Sequence, residues 1–406
     1  MSNIANNMHS TPRWRTPEFN LGLKGVSLAL VLFITQPKEA RAEDTLTYKY
    51  QSWQEDNGRI GVTSHYALAE KDLGPDMHFK AMGLIDSIAG ATPTGELPRT
   101  PGGATPTAHM EDVRRAWDAE LSRQFQHVNA TIGYGVSKES DYLSKGISLN
   151  TVTDFNQKNT NLLLGYGRTD DTISEKKLGW TDDRYKTGND YIIGLTQLLD
   201  PNTSVTGNVS YGQSHGYMSD PYKIVSTTML DLDPGTYYTP PENRPREKNK
   251  VSLFLGMNRN YENLHGAADL SYRYYTDTFG IRSHTLSVAW VQDLGEHFTL
   301  QPFVRYSRQS AADFYYYNLD KARIVTTYDT SSFETGTGKA PFYSSDSRLS
   351  RMDTLDVGLK LTWKIKAWVS VDAAYDRYST HGLDGVTPQD AYYKANNFVI
   401  GVKLTR

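Results

Sequence analysis

The sequence predicts an all-β chain closed into a transmembrane antiparallel β-barrel of about sixteen strands. Three observations predict it. Apolar and polar residues alternate with a period of two along most of the chain, as half-buried strands require. The connections between these runs alternate between short and long. Tyrosine outnumbers phenylalanine, 27 to 13, an excess suited to rings held at a lipid–water interface.

Composition excludes other classes. With no cysteine there is no disulfide scaffold, thiolate metal site or c-type haem attachment. A mean hydropathy of -0.57 does not fit a bundle of membrane helices. A net charge of -3 lacks the basic excess of a nucleic-acid binder.

The first element is a processing segment, residues 1–42. Arg13, Arg15 and Lys24 precede an apolar run from Val26 to Thr35, and Ala40-Arg41-Ala42 supplies an A-x-A site. Ten apolar residues are too few to span a bilayer, so the segment reads as a secretory signal peptide cleaved near Ala42. Residues 43–406 then form the barrel.

The strand-like runs follow at 45–54, 59–71, 77–86, 112–125, 127–141, 143–156, 158–170, 187–199, 203–217, 247–260, 264–277, 282–294, 297–315, 351–366, 368–380 and 390–404. The clearest sets Leu355, Val357, Leu359, Leu361, Trp363 and Ile365 on one face against Asp356, Gly358, Lys360, Thr362, Lys364 and Lys366 on the other. Links after even-numbered runs are tight, such as Leu73-Gly74-Pro75-Asp76, Asp200-Pro201-Asn202 and Gly295-Glu296-His297. Several links after odd runs are long: 87–111, 171–186, 218–246 and 316–350. Short periplasmic turns and long extracellular loops are the pattern of an outer-membrane barrel, and a soluble β-sandwich has no need of it. Tyr48, Tyr50, Tyr134, Tyr166, Tyr211, Tyr272, Tyr274, Tyr306 and Tyr375 make one girdle at the long-loop end. Phe125, Phe155, Phe298, Trp363 and Trp368 make the other at the turns.

The face opposite the lipid carries the candidate lumen-lining residues Lys49, Arg114, Asp118, Glu120, Asp269, Arg273, Arg305, Lys360, Asp372 and Asp376, together with Lys80 and Asp356. Two readings stand: a solute pathway lined by mixed charge, or ladders of ion pairs that hold the wall. Either way the partners are outer-membrane lipid and the barrel assembly machinery. A further reading, an outer-membrane hydrolase, rests only on Ser/His adjacency, and no catalytic constellation emerges. Ser214-His215, Ser283-His284 and Thr380-His381 place each hydroxyl and imidazole on opposite faces of a strand. Asp170-Asp171, Asp182-Asp183 and Asp231-Leu232-Asp233 lack the spacing of a calcium loop. No cofactor motif is present, and Gly133-Tyr134-Gly135 and Gly165-Tyr166-Gly167 are not phosphate loops, because no helix follows either.

Several stretches resemble the domain-of-unknown-function 3570 family of uncharacterised bacterial outer-membrane barrels. They are Glu55–Ile60, Asp86–Gly95, Ser219–Tyr222, Glu242–Pro245, Asp277–Ile281, Arg308–Tyr315, Tyr343–Ser350 and Gly382–Thr387. The resemblance implies location and fold rather than an activity. It also implies an alternative to a channel or passive transport protein: a structural or partner-binding barrel of an envelope complex. That complex would hold a periplasmic or surface protein partner and be linked to envelope electron transfer, since family members are encoded near a flavin-attaching transferase. One departure is the C-terminus, Lys403-Leu404-Thr405-Arg406, where outer-membrane barrels usually end on an aromatic residue.

Overall fold

Alternation with period two commits each run to a strand with one apolar and one polar face, and such strands are stable in lipid only when the sheet closes. The computed structural model shows that closure. It describes residues 44–98, 102–174, 179–228, 237–238, 240–319 and 342–406; the expected signal peptide and Asp231-Leu232-Asp233 lie outside them. Sixteen strands form the wall: β1 Thr45–Glu55, β2 Gly61–Gly74, β3 Met77–Pro93, β4 Thr107–Phe125, β5 Val128–Lys138, β6 Tyr142–Phe155, β7 Thr160–Ile173, β8 Arg184–Asp200, β9 Thr203–Gly216, β10 Glu247–Tyr261, β11 Gly266–Asp277, β12 Arg282–Leu294, β13 Phe298–Gln309, β14 Met352–Lys366, β15 Val369–Gly382 and β16 Lys394–Thr405. Each pairs antiparallel with its neighbours in sequence, and β1 pairs with β16 from Thr45↔Thr405 to Glu55↔Ala395.

The register explains the amphipathic pattern. Leu355, Val357, Leu359, Leu361 and Trp363 are all exposed on the outside, while Asp356 and Lys360 between them are buried. Eight residue steps along a tilted strand give an apolar band about 20 Å tall, close to what a bilayer requires. Both girdles lie on this outer face, with Phe298 stacked on Trp363 near the turns and Tyr191 between Tyr166 and Tyr211 near the loops. Placing a charge in the belt should be costly. Leu359→Arg is expected to destabilise the barrel by about 2–4 kcal/mol, read as a lower denaturant midpoint for refolding into vesicles.

Three expected runs are clearly shorter than their patterns suggested: the fifth ends at Lys138 rather than 141, the sixteenth begins at Lys394 rather than 390, and the thirteenth falls short by most. The thirteenth strand stops at Gln309 rather than at residue 315. Residues 310–315 leave the wall because Phe314 turns in against Phe279, with ring centroids 4.9 Å apart. Several strands next to long loops instead extend further than expected, β3 to Pro93 and β4 back to Thr107. The fully buried apolar clusters sit at this loop end. One joins Met218, Phe279, Ile281, Ala312, Phe314 and Leu349, and another joins Val225, Leu319 and Tyr343.

Candidate functional site: lumen wall and loop cap

Register places all ten candidate lumen residues on the face opposite the exposed apolar rows. They fall into separate groups. On β3 and β4, Arg114 forks onto the buried carboxylate of Asp86, and Lys80 reaches Glu120 at 3.3 Å; Asp118 lies between these pairs. Across β13–β15, Arg305 faces Asp356 in register, and Asp376 accepts from Asn397 Nδ2 at 2.9 Å. Lys49 on β1 reaches Asp372 on β15 at 4.0 Å, with Lys360 buried on β14 nearby. Asp269 and Arg273 stand apart on β11, among Asn258, Phe254 and Thr285 of the flanking strands.

The Lys49–Asp372 pair spans a strand that belongs to neither residue. Between them in the row lies Gly401, and a Cβ there would sit 2.8–3.2 Å from the Asp372 carboxylate. The same arrangement recurs at Lys250–Gly212–Asp190, where the pair closes to 2.9 Å. A lumen-facing glycine thus lets two charged side chains lie flat across the middle strand. Their residual exposure, 34% for the Lys250 side chain and 43% for Asp190, means that wall side chains leave accessible space inside this part of the ring.

The outer mouth is different. Six of the sixteen strand positions separate the β3/β4 gap from the β9/β10 gap, so loops leaving these gaps start on nearly opposite sides of the ring. A sixteen-strand wall is about 30 Å across, backbone to backbone. Yet the Ile224 N–H donates to Thr94 O at 3.1 Å, and the Leu97 N–H to Ser226 Oγ at 3.0 Å. The β13/β14 loop joins them. Ser345 Oγ donates to Ile224 O at 2.7 Å, and Tyr343 and Asn243 exchange backbone hydrogen bonds at 2.8 and 3.0 Å. All three loops converge on Gly95, whose φ of +100° and near-contact with Ile224 O and Ser345 Oγ exclude a side chain. The β15/β16 loop closes the circle through Asp390, which accepts from Thr105 N–H at 2.8 Å and Thr105 Oγ1 at 2.5 Å. These loops meet only by crossing the mouth, and they form a cap.

At the centre of the cap is a buried ionic hub. Arg244 Nη2 donates to Glu242 Oε2 and to Asp346 Oδ2, both at 2.9 Å. Arg348 forks onto Asp346, with Nε at 2.8 Å from Oδ1 and Nη2 at 2.5 Å from Oδ2, and reaches Asp220 at 3.4 Å. The Asp220 N–H and Ser344 Oγ also donate to Glu242. Lys223 donates to Pro93 O and, at 3.3 Å, to Thr92 Oγ1. With every group ionised, Asp220, Glu242 and Asp346 balance Lys223, Arg244 and Arg348. Burial pushes the Glu242 carboxyl up to about 7, against the pull of Arg244. Asp346 moves the other way: its burial is outweighed by Arg348, Arg244 and Lys223, which hold it below the ordinary range. Burial lowers Lys223.

The model of a family described as proteins of unknown function, DUF3570, matches residues 27–389. The chain belongs to the DUF3570 family. No curated protein matches it. Among solved structures it is similar to a bacterial polysaccharide outer membrane secretin, at 9% identity and a TM-score of 0.47, over 89% of this chain and 97% of that one. It is also similar to the siderophore receptor PirA from Pseudomonas aeruginosa, at 11% identity and a TM-score of 0.42, over 91% of this chain and 62% of the receptor. A third is the outer membrane protein opdK from Pseudomonas aeruginosa, at 8% identity and a TM-score of 0.42, over 90% and 99%. None of these likenesses assigns an activity to the DUF3570 chain.

The DUF3570 stretches read from sequence are the parts of the cap and its supports. Ser219–Tyr222, Glu242–Pro245 and Tyr343–Ser350 supply most of the hub. In Asp277–Ile281 the Asp277 carboxylate accepts from the Phe279 and Ile281 N–H groups at 3.0 and 3.1 Å and pairs with Lys248 at 3.0 Å. In Gly382–Thr387, Asp384 holds Thr387 Oγ1 at 2.6 Å, and that hydroxyl meets Tyr315 of Arg308–Tyr315 at 2.5 Å. Glu55–Ile60 anchors the rim through Arg59, 3.1 Å from Glu55 and 2.8 Å from Asp390 O.

Sequence reasoning missed a carboxylate trio in the DUF3570 barrel. Asp112, Glu139 and Asp141 bring one oxygen each within 4.8 Å of one another, a donor set that suits a hard cation. Tyr222 also donates to Asp141 at 2.5 Å, tying the trio to the cap. Asp112 lies in β4, and Glu139 and Asp141 lie in the link between β5 and β6, so no linear spacing announces the trio. Of the acidic pairs noted in the sequence, Asp170 pairs with Arg168 and Asp171 with Lys186, while Asp183 accepts from Ser174. Ser214 and His215 lie on opposite faces, as do Ser283 and His284; His284 instead meets Tyr272 Oη at 2.7 Å on the outside.

Proposed function

We propose that this DUF3570 chain is an outer-membrane channel for small polar solutes, gated at its outer mouth by the loop cap. The observation that carries this reading is the solvent-accessible charge on the inner wall, Lys250 and Asp190, within a closed sixteen-strand ring. A ring of that size holds an aqueous lumen once side chains lie flat against the wall. The even strand count brings β1 and β16 together at the short-turn end, which in this reading faces the periplasm, with the cap outside. The apolar outer belt supports residence in a bilayer.

Purified protein added to a planar bilayer is expected to give discrete conductance steps, small or intermittent in the wild type because the cap crosses the mouth. Deleting the cap segment 220–243 should enlarge and lengthen them. A barrel that stays silent with the cap removed, while still folded, overturns the channel reading. The second reading is a partner-binding barrel of an envelope complex. The cap supports it, since an ordered, interlocked loop surface also suits a docking platform. Co-purification of a stoichiometric protein under gentle detergent, together with electrical silence, would favour it.

A further inference from the structure

On the outer face, at the loop end of β5 and β6 and beside the middle of the longer β4, cations are gathered instead of paired. Arg115 and Lys138 stand directly opposite one another in the β4–β5 register, and Lys145 lies one diagonal step away on β6. All three are exposed and share the face of Trp117, Tyr134 and Ile147. Like charges placed opposite one another on a sheet repel, and an anion bound between them would relieve that repulsion. Among the described residues no ion pair does so. The nearest carboxylate in register, Asp170 opposite Lys145, is forked by Arg168 at 2.9 and 3.2 Å. Glu111, further along β4, is paired with His109 at 3.1 Å. Two other outer-face cations have partners of their own: Arg308 lies 2.6 Å from Asp353, and Arg377 pairs with Asp56.

The height of the trio identifies what meets it. Trp117 and Tyr134, one step toward the membrane, pack edge to face with centroids 5.7 Å apart. Such rings sit at the headgroup level of a bilayer. The trio is therefore level with lipid phosphates, and Ile85 beside Arg115 in register offers apolar surface for the chain below. We propose that Arg115, Lys138 and Lys145 form a binding site for the phosphate group of an anionic lipid in the leaflet at the long-loop end. Arg115 offers a fork for two phosphate oxygens, and the two lysines supply point charges. The site is independent of whether the lumen conducts.

The test is native mass spectrometry of the full-length barrel in detergent, titrated with bisphosphorylated lipid A. One tightly held lipid adduct is expected. Its affinity should fall roughly a hundredfold in the triple variant R115Q/K138Q/K145Q and roughly tenfold in K138Q alone. R308Q, the same charge change at a paired position, should bind as the wild type does. Enzymatically dephosphorylated lipid A should bind the wild type no better than the triple variant. Heat-dependent gel mobility confirms that each barrel is closed, and K138Q carries the test if the triple variant fails to fold. Undiminished lipid A binding in K138Q and the triple variant overturns the proposal, as does complete displacement of the lipid by equimolar inorganic phosphate, which would mark a site for a free anion.

Discussion

Arg244→Met is expected to release the cap while leaving the wall intact. The substitution keeps much of the side-chain length but removes the cation held between Glu242 and Asp346. Two buried carboxylates then face each other with Arg348 and Lys223 as the remaining counter-charges. Breaking one partner out of a buried ionic network typically costs about 3–5 kcal/mol, because the other charges stay desolvated. That is enough to raise local opening by roughly two to four orders of magnitude. Hydrogen exchange followed by mass spectrometry should show the increase in segments 217–228, 240–246 and 342–350, with β1–β16 protection unchanged. Heat-modifiable gel mobility should be retained. If the channel reading holds, the same variant should conduct more than the wild type. Adding Glu242→Gln to Arg244→Met should recover part of the protection, since it removes one of the stranded charges. Unchanged exchange in Arg244→Met would mean that the hub does not hold the cap.

Acidity should tighten the cap before it loosens it. Glu242 has an ordinary carboxyl value of 4.5 and is raised to about 7 by burial in the closed cap. The closed state therefore binds this proton more strongly than the opened one. Stability of the closed cap rises as pH falls from about 7 toward 4.5, by up to about tenfold in the opening equilibrium per pH unit. Asp346 has the opposite sign. Its ordinary value is 3.8 and Arg348, Arg244 and Lys223 lower it, so its contribution is present above 3.8 and is lost as pH falls below that. The groups facing Glu242 are Arg244, Asp220, Lys223 and Tyr217 from its own loop and Ser344, Asp346 and Arg348 from the β13/β14 loop; Lys223, lowered by burial, has the opposite sign to Glu242 and favours closure as pH rises toward its ordinary 10.5. The cap should thus be most firmly closed in mildly acidic solution. Exchange in the same segments, corrected for intrinsic chemistry, should be slower at pH 5.5 than at pH 8. Glu242→Gln should flatten that difference. A cap that exchanges faster at pH 5.5 than at pH 8 contradicts the sign.

The wall was legible in the sequence because its rule is local. Leu355 through Ile365 announce a half-buried strand without reference to any other segment, and Asp200-Pro201-Asn202 announces a turn in the same way. Which residues share a face was legible for the same reason: once Leu359 points out of the ring, Lys360 must point inward. What those inward charges touch was not legible. Lys49 and Asp372 are 323 residues apart, and their contact depends on Gly401 lying between them after closure. The cap was the least readable part. Ser219–Tyr222, Glu242–Pro245 and Tyr343–Ser350 stood out as motifs, but nothing in their spacing says that they cross a 30 Å mouth to meet. The strand that stops at Gln309 shows the same limit: the polar–apolar rhythm runs on past it, and a tertiary contact, Phe314 on Phe279, cuts it short.

The ladder joining β1 to β16 has a bearing on how the molecule comes to exist. Thr45 bonds across to Thr405, so the first strand made waits for the last before its edge is satisfied. Until then both margins of the growing sheet offer unpaired peptide groups to any neighbouring chain. Circularity of this kind forbids folding in step with synthesis. It makes insertion a single late event, and loss of the final dozen residues should leave an aggregation-prone ribbon with an open seam.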